Sequence, residues 1–445
     1  TVLNRSYGIF SKIYGRADVS IAVDLTFHSL ISFIFDGTTI PRGWMNLLIL
    51  GDSGQGKTWL TEAFLRHYEL GDLVSGESSK RTGLLYNITE TSKHWFLQWG
   101  AVPLNDRGLL AIDEFTGLSD EDFSQMTRMR ESGVIEVNKV RTAKTTARTR
   151  LVFLTNTRSG KMLAEYQFGT DALLELLKHK EDIRRFDIVV TVASNEVDEG
   201  EINKRHKSEI EHVYTSDSCR TLVLWAWSRQ PEDVVFSDEA IDAVLKTARY
   251  FSQNYESEIP LVEPADMRFK IARMSAALAA RLFSTDEKSV KVIIKKEHVD
   301  FIKNYLDGVY SKDSMGYKLK SFYVKKSKQK SIDEQGSIIE HFLNMDDAEQ
   351  LIEILSMARF IKVSDIADQW GQDVSKVRDL IKYCSKYRML SSSPKGYVKN
   401  ENFVAVLRLL QERIKKEVTV IDSIYEDIED DKDKDELRKG HNEDE

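Results

Sequence analysis

Residues 47–65 read LLILGDSGQGKTWLTEAFL. Leu47 to Leu50 suit a buried strand, Trp59, Leu60, Phe64 and Leu65 carry helical spacing, and the turn between fits GxxxxGK[ST] at each fixed position: Gly51, Gly56, Lys57 and Thr58. In that setting the backbone N–H groups from Gly51 through Asp52, Ser53, Gly54, Gln55 and Gly56 to Lys57 and Thr58 can curl round a phosphate. The helix N-terminus adds partial positive charge, Lys57 reaches the β- and γ-phosphates, and the Thr58 hydroxyl can ligate Mg²⁺. The bland alternative is a glycine-rich turn that binds nothing, and a strand before and a helix after argue against it.

A phosphate cradle alone hydrolyses nothing, so a second strand ending in acids is required. RGLLAIDEFTG, residues 107–117, supplies one: Leu109 to Ile112 are apolar, Asp113 sits where a strand end can hold Mg²⁺, and Glu114 is suited to orient or deprotonate a water. An Asp-Glu pair after an apolar strand is otherwise an ordinary strand terminus. With the upstream loop it points to a nucleoside triphosphatase using ATP and Mg²⁺.

The chain has 445 residues, room for two or three domains, and a net charge of −8. Two cysteines, Cys219 and Cys384, offer neither a disulfide framework nor a zinc quartet. No apolar run approaches membrane-spanning length and no signal peptide is visible, so an intracellular, cytoplasmic or nucleoid-associated protein is expected. From Asp422 to Glu445 there are 12 acidic and 4 basic residues, a net of −8 that leaves residues 1–421 neutral. Such a tail reads as a solvated, disordered segment.

Residues 1–235 alternate strand-like runs (LLAI, RLVFLTN, FDIVVTV) with helical stretches, the pattern of a parallel sheet with crossover helices. Residues 236–310 read as a helical lid, 311–331 as a basic linker, 332–412 as a small helical domain, and 413–445 as the acidic tail.

The order of motifs in residues 6–310 resembles the AAA+ ATPase module of the minichromosome maintenance (MCM) family of hexameric DNA helicases. SKIYGRADVSIAVDLTFHSL is similar to that family's opening segment, and VSGESSKRTGLL with WGAVPLNDRGLLAIDEFTGLSDEDFSQM to its helix-2 insert and Walker B region. ESGVIEVNKVRTAKTTARTRLVFLTNTR resembles its pre-sensor hairpin and sensor strand, and EDIRRFDIVVTVASNEVDEGE its arginine-finger segment. The resemblance implies an α/β AAA+ P-loop module with a helical lid, acting as an ATP-dependent DNA helicase or translocase in a homo-oligomeric ring, expected to be a hexamer, that encircles single-stranded DNA.

Carried over residue by residue, the resemblance makes Asn156 the sensor 1 amide that positions water against the γ-phosphate, where an isolated Asn is a strand-end cap. It makes Arg185 the finger supplied to a neighbour's nucleotide, a task suited to a planar, permanently charged guanidinium. The blander reading is a surface salt bridge with Glu181 or Asp182. The family has serine where Arg184 stands, so either arginine of the pair can take the role. Arg268 is the sensor 2 candidate, with Arg273 as runner-up because the family's spacing differs here. Lys139, Arg141, Lys144, Arg148 and Arg150 crowd a hairpin whose tip lies near Arg141 to Lys144, and the resemblance aims it into the channel, with Lys139, Arg141 and Lys144 as DNA-binding residues.

FIKVSDIADQWGQDVSKVRDLIKYCSKYRMLSSSPKGYVKNENFVAVLRLL reads as a helix, a turn at Gly371, a second helix from near Val374 and a β-turn-β around Pro394 to Gly396. That is a winged helix-turn-helix, with Lys376, Arg378, Lys382, Lys386 and Arg388 on its second helix suited either to duplex phosphates or to a protein partner. The family's N-terminal collar has no counterpart, so either an upstream portion is missing or the chain is a reduced relative. Two other classes stand beside the DNA motor: an AAA+ remodeller of proteins, and a nucleotide-dependent DNA-binding regulator or defence factor that does not unwind.

Overall fold

The computed structural model describes residues 15–414 apart from 77–80, 118–119, 139–141, 195, 198–199, 201–214, 359 and 401. The strands, in chain order, are β1 (Phe33–Phe35), β2 (Thr38–Ile40), β3 (Asn46–Gly51), β4 (Asp72–Ser75), β5 (Tyr86–Thr91), β6 (His94–Trp99), β7 (Leu109–Asp113), β8 (Val134–Asn138), β9 (Thr142–Thr146), β10 (Arg150–Thr155), β11 (Ile188–Val192), β12 (Val234–Phe236), β13 (Val292–Ile294), β14 (Leu390–Ser393) and β15 (Gly396–Lys399).

Five of them form the central sheet in the order β11-β3-β10-β7-β4. Every pairing in it is parallel, with Leu154 opposite Ile49, Ala111 opposite Val152 and Val190 opposite Ile49. Leu47, Leu48, Ile49 and Leu50 are all fully buried, as expected of a strand covered on both faces, where there is no solvent side to impose alternation. Non-consecutive neighbours make the connections crossovers, and all C-terminal strand ends therefore lie along one edge of the sheet. That edge carries the P-loop.

After β11 the same unit contributes helices Asp238–Asn254, Pro264–Arg281 and Lys296–Ser311, with the short parallel strands β12 and β13 just before the first and the last of them. Their apolar faces join the core of the sheet module through Val244, Phe251, Ile271, Met274 and Ile302.

The chain divides into two compact units between Lys325 and Lys326. The stretch read as a basic linker is helical from Tyr317 onward, inside a helix that runs Tyr317–Leu343; no proline interrupts it. The second unit has its own core, with Trp370, Val377, Leu380, Ile381 and Phe403 packed together. Helix Val363–Trp370 ends at Gly371 with φ 70°, helix Val374–Lys386 follows, and β14 and β15 form an antiparallel hairpin. A left-handed residue at that position is what glycine supplies without strain, and it turns the chain sharply between the two helices. The acidic tail from residue 415 onward lies outside the described residues.

Candidate nucleotide site and the outlying arginines

The loop after β3 enters helix Lys57–Tyr68 through Gly56, whose φ of 76° is left-handed, as is that of Gly54 at 74°. An added Cβ at either would meet nothing within 4 Å, so the concave side of the loop is open. Gly51 is constrained differently: a Cβ there would come within 2.2 Å of the Val192 carbonyl oxygen, because β11 packs directly on the loop.

Lys57 Nζ donates to the carbonyls of Gly51 (2.9 Å) and Asp52 (2.6 Å) and to Asn156 Oδ1 (2.8 Å). Burial pushes this ammonium down to about 8, against the raising influence of the Asp52 and Asp113 carboxylates. Asp52 in turn is held by the backbone N–H groups of Leu163 (2.8 Å) and Ser194 (2.9 Å), which anchors the loop to two other segments. Buried Arg16 donates to Gln55 Oε1 at 2.8 Å, to the Ala193 carbonyl and to Glu196, so the opening segment also braces the loop.

β10 lies between β3 and β7. Asn156 follows its last residue and Asp113 ends β7, so the two side chains reach the loop from adjacent strand ends. Thr58 Oγ1 donates to Asp113 Oδ2 at 2.8 Å. A hydroxyl and a carboxylate oxygen converging beside an open phosphate cradle are the hard donors Mg²⁺ takes, so Thr58 and Asp113 fit that ion. Bound there, Mg²⁺ would neutralise charge on the phosphate oxygens. Glu114 is exposed, has a left-handed φ of 51°, and its N–H is accepted by Asp113 Oδ1 at 2.8 Å. Such a backbone at a non-glycine residue costs free energy, and here the Glu114 carboxylate lies 3.5 Å from the Ser75 hydroxyl at the end of β4, the strand on the far side of β7 from β3.

The arginines sit elsewhere. β11 runs parallel to β3 with Ile188 opposite Leu47 and Val192 opposite Gly51. Arg185 precedes β11, and its carbonyl accepts from Asn46 Nδ2 (3.3 Å) and Arg42 Nη2 (3.3 Å) at the start of β3. The P-loop begins at the other end of that strand, about 16–20 Å away at the usual rise per residue. Arg185 pairs with Glu131 at 2.9 Å and donates to the Glu181 carbonyl at 3.0 Å; the partner is thus neither the Glu181 nor the Asp182 carboxylate, and Asp182 instead accepts from Thr127. Arg184 forms a bidentate pair with Asp266, its second bond 3.1 Å long.

Arg268 and Arg273 have different surroundings. Arg268 is exposed, its guanidinium 4.6 Å from the Phe269 ring centroid. Arg273 is buried, bonds the buried Asp187 carboxylate and donates to the Arg42 carbonyl at 3.1 Å.

In the basic hairpin β8–β9, Glu136 faces Lys144 and the two form a 2.9 Å ion pair. Lys139 and Arg141 lie outside the described residues. Arg148 and Arg150 do not belong to this hairpin's surface. Arg148 sits beyond β9, clamped to Asp106 at 2.7 Å, and Arg150 is fully buried at the start of β10, donating to the Ser29 and Arg107 carbonyls and packed 4.5 Å from the Trp227 ring. Sequence reasoning also passed over the hairpin β5–β6, whose Trp95 and Phe96 are 38% and 55% exposed. HWFLQW alternates weakly, and two adjacent solvent-facing aromatics are the signal that could have marked it.

A parallel sheet, a glycine-rich loop opening a helix, and an acid and an amide at neighbouring strand ends define a P-loop nucleotide-binding module. Residues 3–208 match the MCM P-loop domain, and over that segment the chain is similar to the MCM family. It is 27% identical over 187 residues to the probable DNA helicase MCM9 of Arabidopsis thaliana, a match covering 42% of this chain and 28% of the relative. It is 32% identical over 134 residues to the DNA replication licensing factor mcm5-A of Xenopus laevis (29% and 18%), and 25% identical over 194 residues to mcm2 of Schizosaccharomyces pombe (42% and 23%). The matches thus span less than a third of the length of these relatives. Among the described residues no helix is long and apolar enough to cross a membrane.

Proposed function

We propose that this chain is an ATPase that hydrolyses ATP at interfaces between copies of itself in a ring, and uses that hydrolysis to move along DNA. The observation that carries the ring is the placement of Arg185 and the P-loop at opposite ends of β3 and β11, which puts the guanidinium beyond reach of the chain's own phosphates. Its proposed target is therefore the nucleotide of a second copy, with Arg268, exposed two residues after the Asp266 that Arg184 bonds, as the second donor.

In this reading Lys57 holds the β- and γ-phosphates, Asn156 orients the attacking water, and Glu114 takes its proton as the water oxygen bonds to the γ-phosphorus and the β–γ bridging oxygen leaves. Arg185 compensates charge on the transferring group. The DNA assignment is supported by relatives named as DNA helicase and replication licensing factors and by the exposed Lys144 on its hairpin, with Lys139 and Arg141 proposed beside it. We read the helix-turn-helix and β14–β15 hairpin as a winged helix, with exposed Arg378, Lys382, Lys386 and Arg388 available to duplex phosphates or an acidic protein face.

One observation favours a second reading. The exposed rings of Trp95 and Phe96, successive residues of β6 and so on opposite faces of the hairpin, can each contact an unfolded polypeptide as well as stack on a base, which supports protein remodelling as a second reading. Turnover measured with single-stranded DNA and with an unfolded protein separates the two. Stimulation by DNA supports the proposal, and stimulation by polypeptide alone overturns it.

A further inference from the structure

We propose that Arg184 is a positioning residue: its bidentate bond to Asp266 fastens the segment before β11 to helix Pro264–Arg281, so that Arg185 and Arg268 are presented to a neighbouring copy as one rigid unit. The inference rests on the reading of Arg185 given above.

Two ties join this segment to helix Pro264–Arg281. The inner one is buried and runs from Arg273 to Asp187, two residues after Arg185. The outer one runs from Arg184, the residue before Arg185, to Asp266, two residues before Arg268. One tie alone is a pivot, about which the helix start can swing against the segment; two ties on either side of the pair fix their mutual angle. A guanidinium fork bound through two N–H groups also resists rotation in a way one hydrogen bond does not.

The outer pair is about one-third exposed on both sides, so its effect on folding is small and its consequence is geometric. Glu131 completes the arrangement by holding the Arg185 guanidinium at 2.9 Å. Serine at position 184 keeps the site polar but is too short to span to Asp266, which makes it the informative replacement.

The test uses full-length Arg184→Ser, Asp266→Asn and the exchanged pair Arg184→Asp with Asp266→Arg. Loss of alignment a few ångströms from the reacting phosphate should lower kcat roughly tenfold with KM for ATP nearly unchanged, and the exchanged pair should recover most of it. Mixing Arg184→Ser with Lys57→Ala should also raise turnover, because the Lys57→Ala copy brings an intact Arg184–Asp266 tie to its neighbour's P-loop. A defect internal to the Arg184→Ser module would not be repaired by mixing. Arg185→Ala mixed with Lys57→Ala is the control, with subunit exchange followed by fluorescence energy transfer. If exchange occurs and the control fails to recover, the reading of Arg185 falls, and this inference with it. If the control recovers but Arg184→Ser keeps wild-type kcat, or loses kcat without recovery on mixing, the positioning role is overturned and the reading of Arg185 stands.

Discussion

Asn156 Oδ1, just beyond β10, accepts a 2.8 Å hydrogen bond from Nζ of Lys57, the residue that opens the P-loop helix. The amide therefore abuts the ammonium proposed to hold the γ-phosphate, and from there it can direct a water at the phosphorus. Asn156→Ala should lower kcat about 10²- to 10³-fold, the usual cost of deleting one aimed polar group. Glu114→Gln should cost about 10²- to 10⁴-fold, as an amide cannot take the proton. Both should still bind ATP in a fluorescence titration, whereas Lys57→Ala should lose turnover together with most binding. Near-wild-type phosphate release from Glu114→Gln would remove Glu114 from the reaction.

Nucleotide affinity should depend on pH through Lys57. Burial holds this ammonium near 8, well below an ordinary lysine, so it loses its proton as pH rises through that value. Phosphates favour the charged form, so binding above pH 8 takes up a proton. Affinity should fall roughly tenfold between pH 7 and pH 9. Titration calorimetry in two buffers of different ionisation heat measures the uptake directly, and a binding heat independent of buffer above pH 8 would remove Lys57 from this role.

The two arginines of helix Pro264–Arg281 should separate by what they damage. Removing Arg273 leaves the fully buried Asp187 with Arg42, 2.6 Å away, as its remaining ion-pair partner among the described residues, and losing a hydrogen bond to a buried charge costs about 1.5–3 kcal/mol. Arg273→Leu should therefore show a markedly lower urea midpoint. Arg268→Ala, at an exposed position, should change stability by no more than about 0.5 kcal/mol while lowering turnover in the assembled protein. The reverse pattern would make Arg273 the functional residue.

On the basic hairpin, Lys139→Ala with Lys144→Ala should spare basal turnover and make single-strand binding less salt-sensitive, by roughly 0.7 in log–log slope for each phosphate left without its cation. Glu136→Gln should act oppositely. It frees Lys144 from its 2.9 Å partner, so binding should tighten. An unchanged salt slope in both variant proteins would take this hairpin off the DNA path.

If Trp95 and Phe96 stack on bases, alanine at both should weaken single-strand affinity by about 1–3 kcal/mol per base unstacked, measured by anisotropy at fixed salt. Intact DNA binding with lost polypeptide-stimulated turnover would favour the remodelling reading.

The loop from Gly51 to Thr58 was readable because phosphate binding demands particular residues at consecutive positions, and Asp113 because a short apolar run ended in an acid. The parallel sheet followed from unalternating runs such as Leu47 to Leu50. Direction was what sequence could not supply. Arg148 and Arg150 looked like further hairpin cations, yet which way an arginine points depends on distant groups, and Ser29, Asp106, Arg107 and Trp227 draw these two away. The same holds for Arg185, whose partner Glu131 lies 54 residues away in sequence. Arg268 and Arg273, ambiguous by spacing, differ plainly once burial is known.

Under the proposed function, the separation of Arg185 from the P-loop by the length of β3 has a kinetic consequence. If each hydrolytic site is shared, turnover per chain is not a constant. It should climb with protein concentration more steeply than first order until assembly saturates, and vanish on dilution without any chain unfolding. Cells that make little of such a chain would then hold it silent, and a modest rise in its synthesis would switch activity on abruptly.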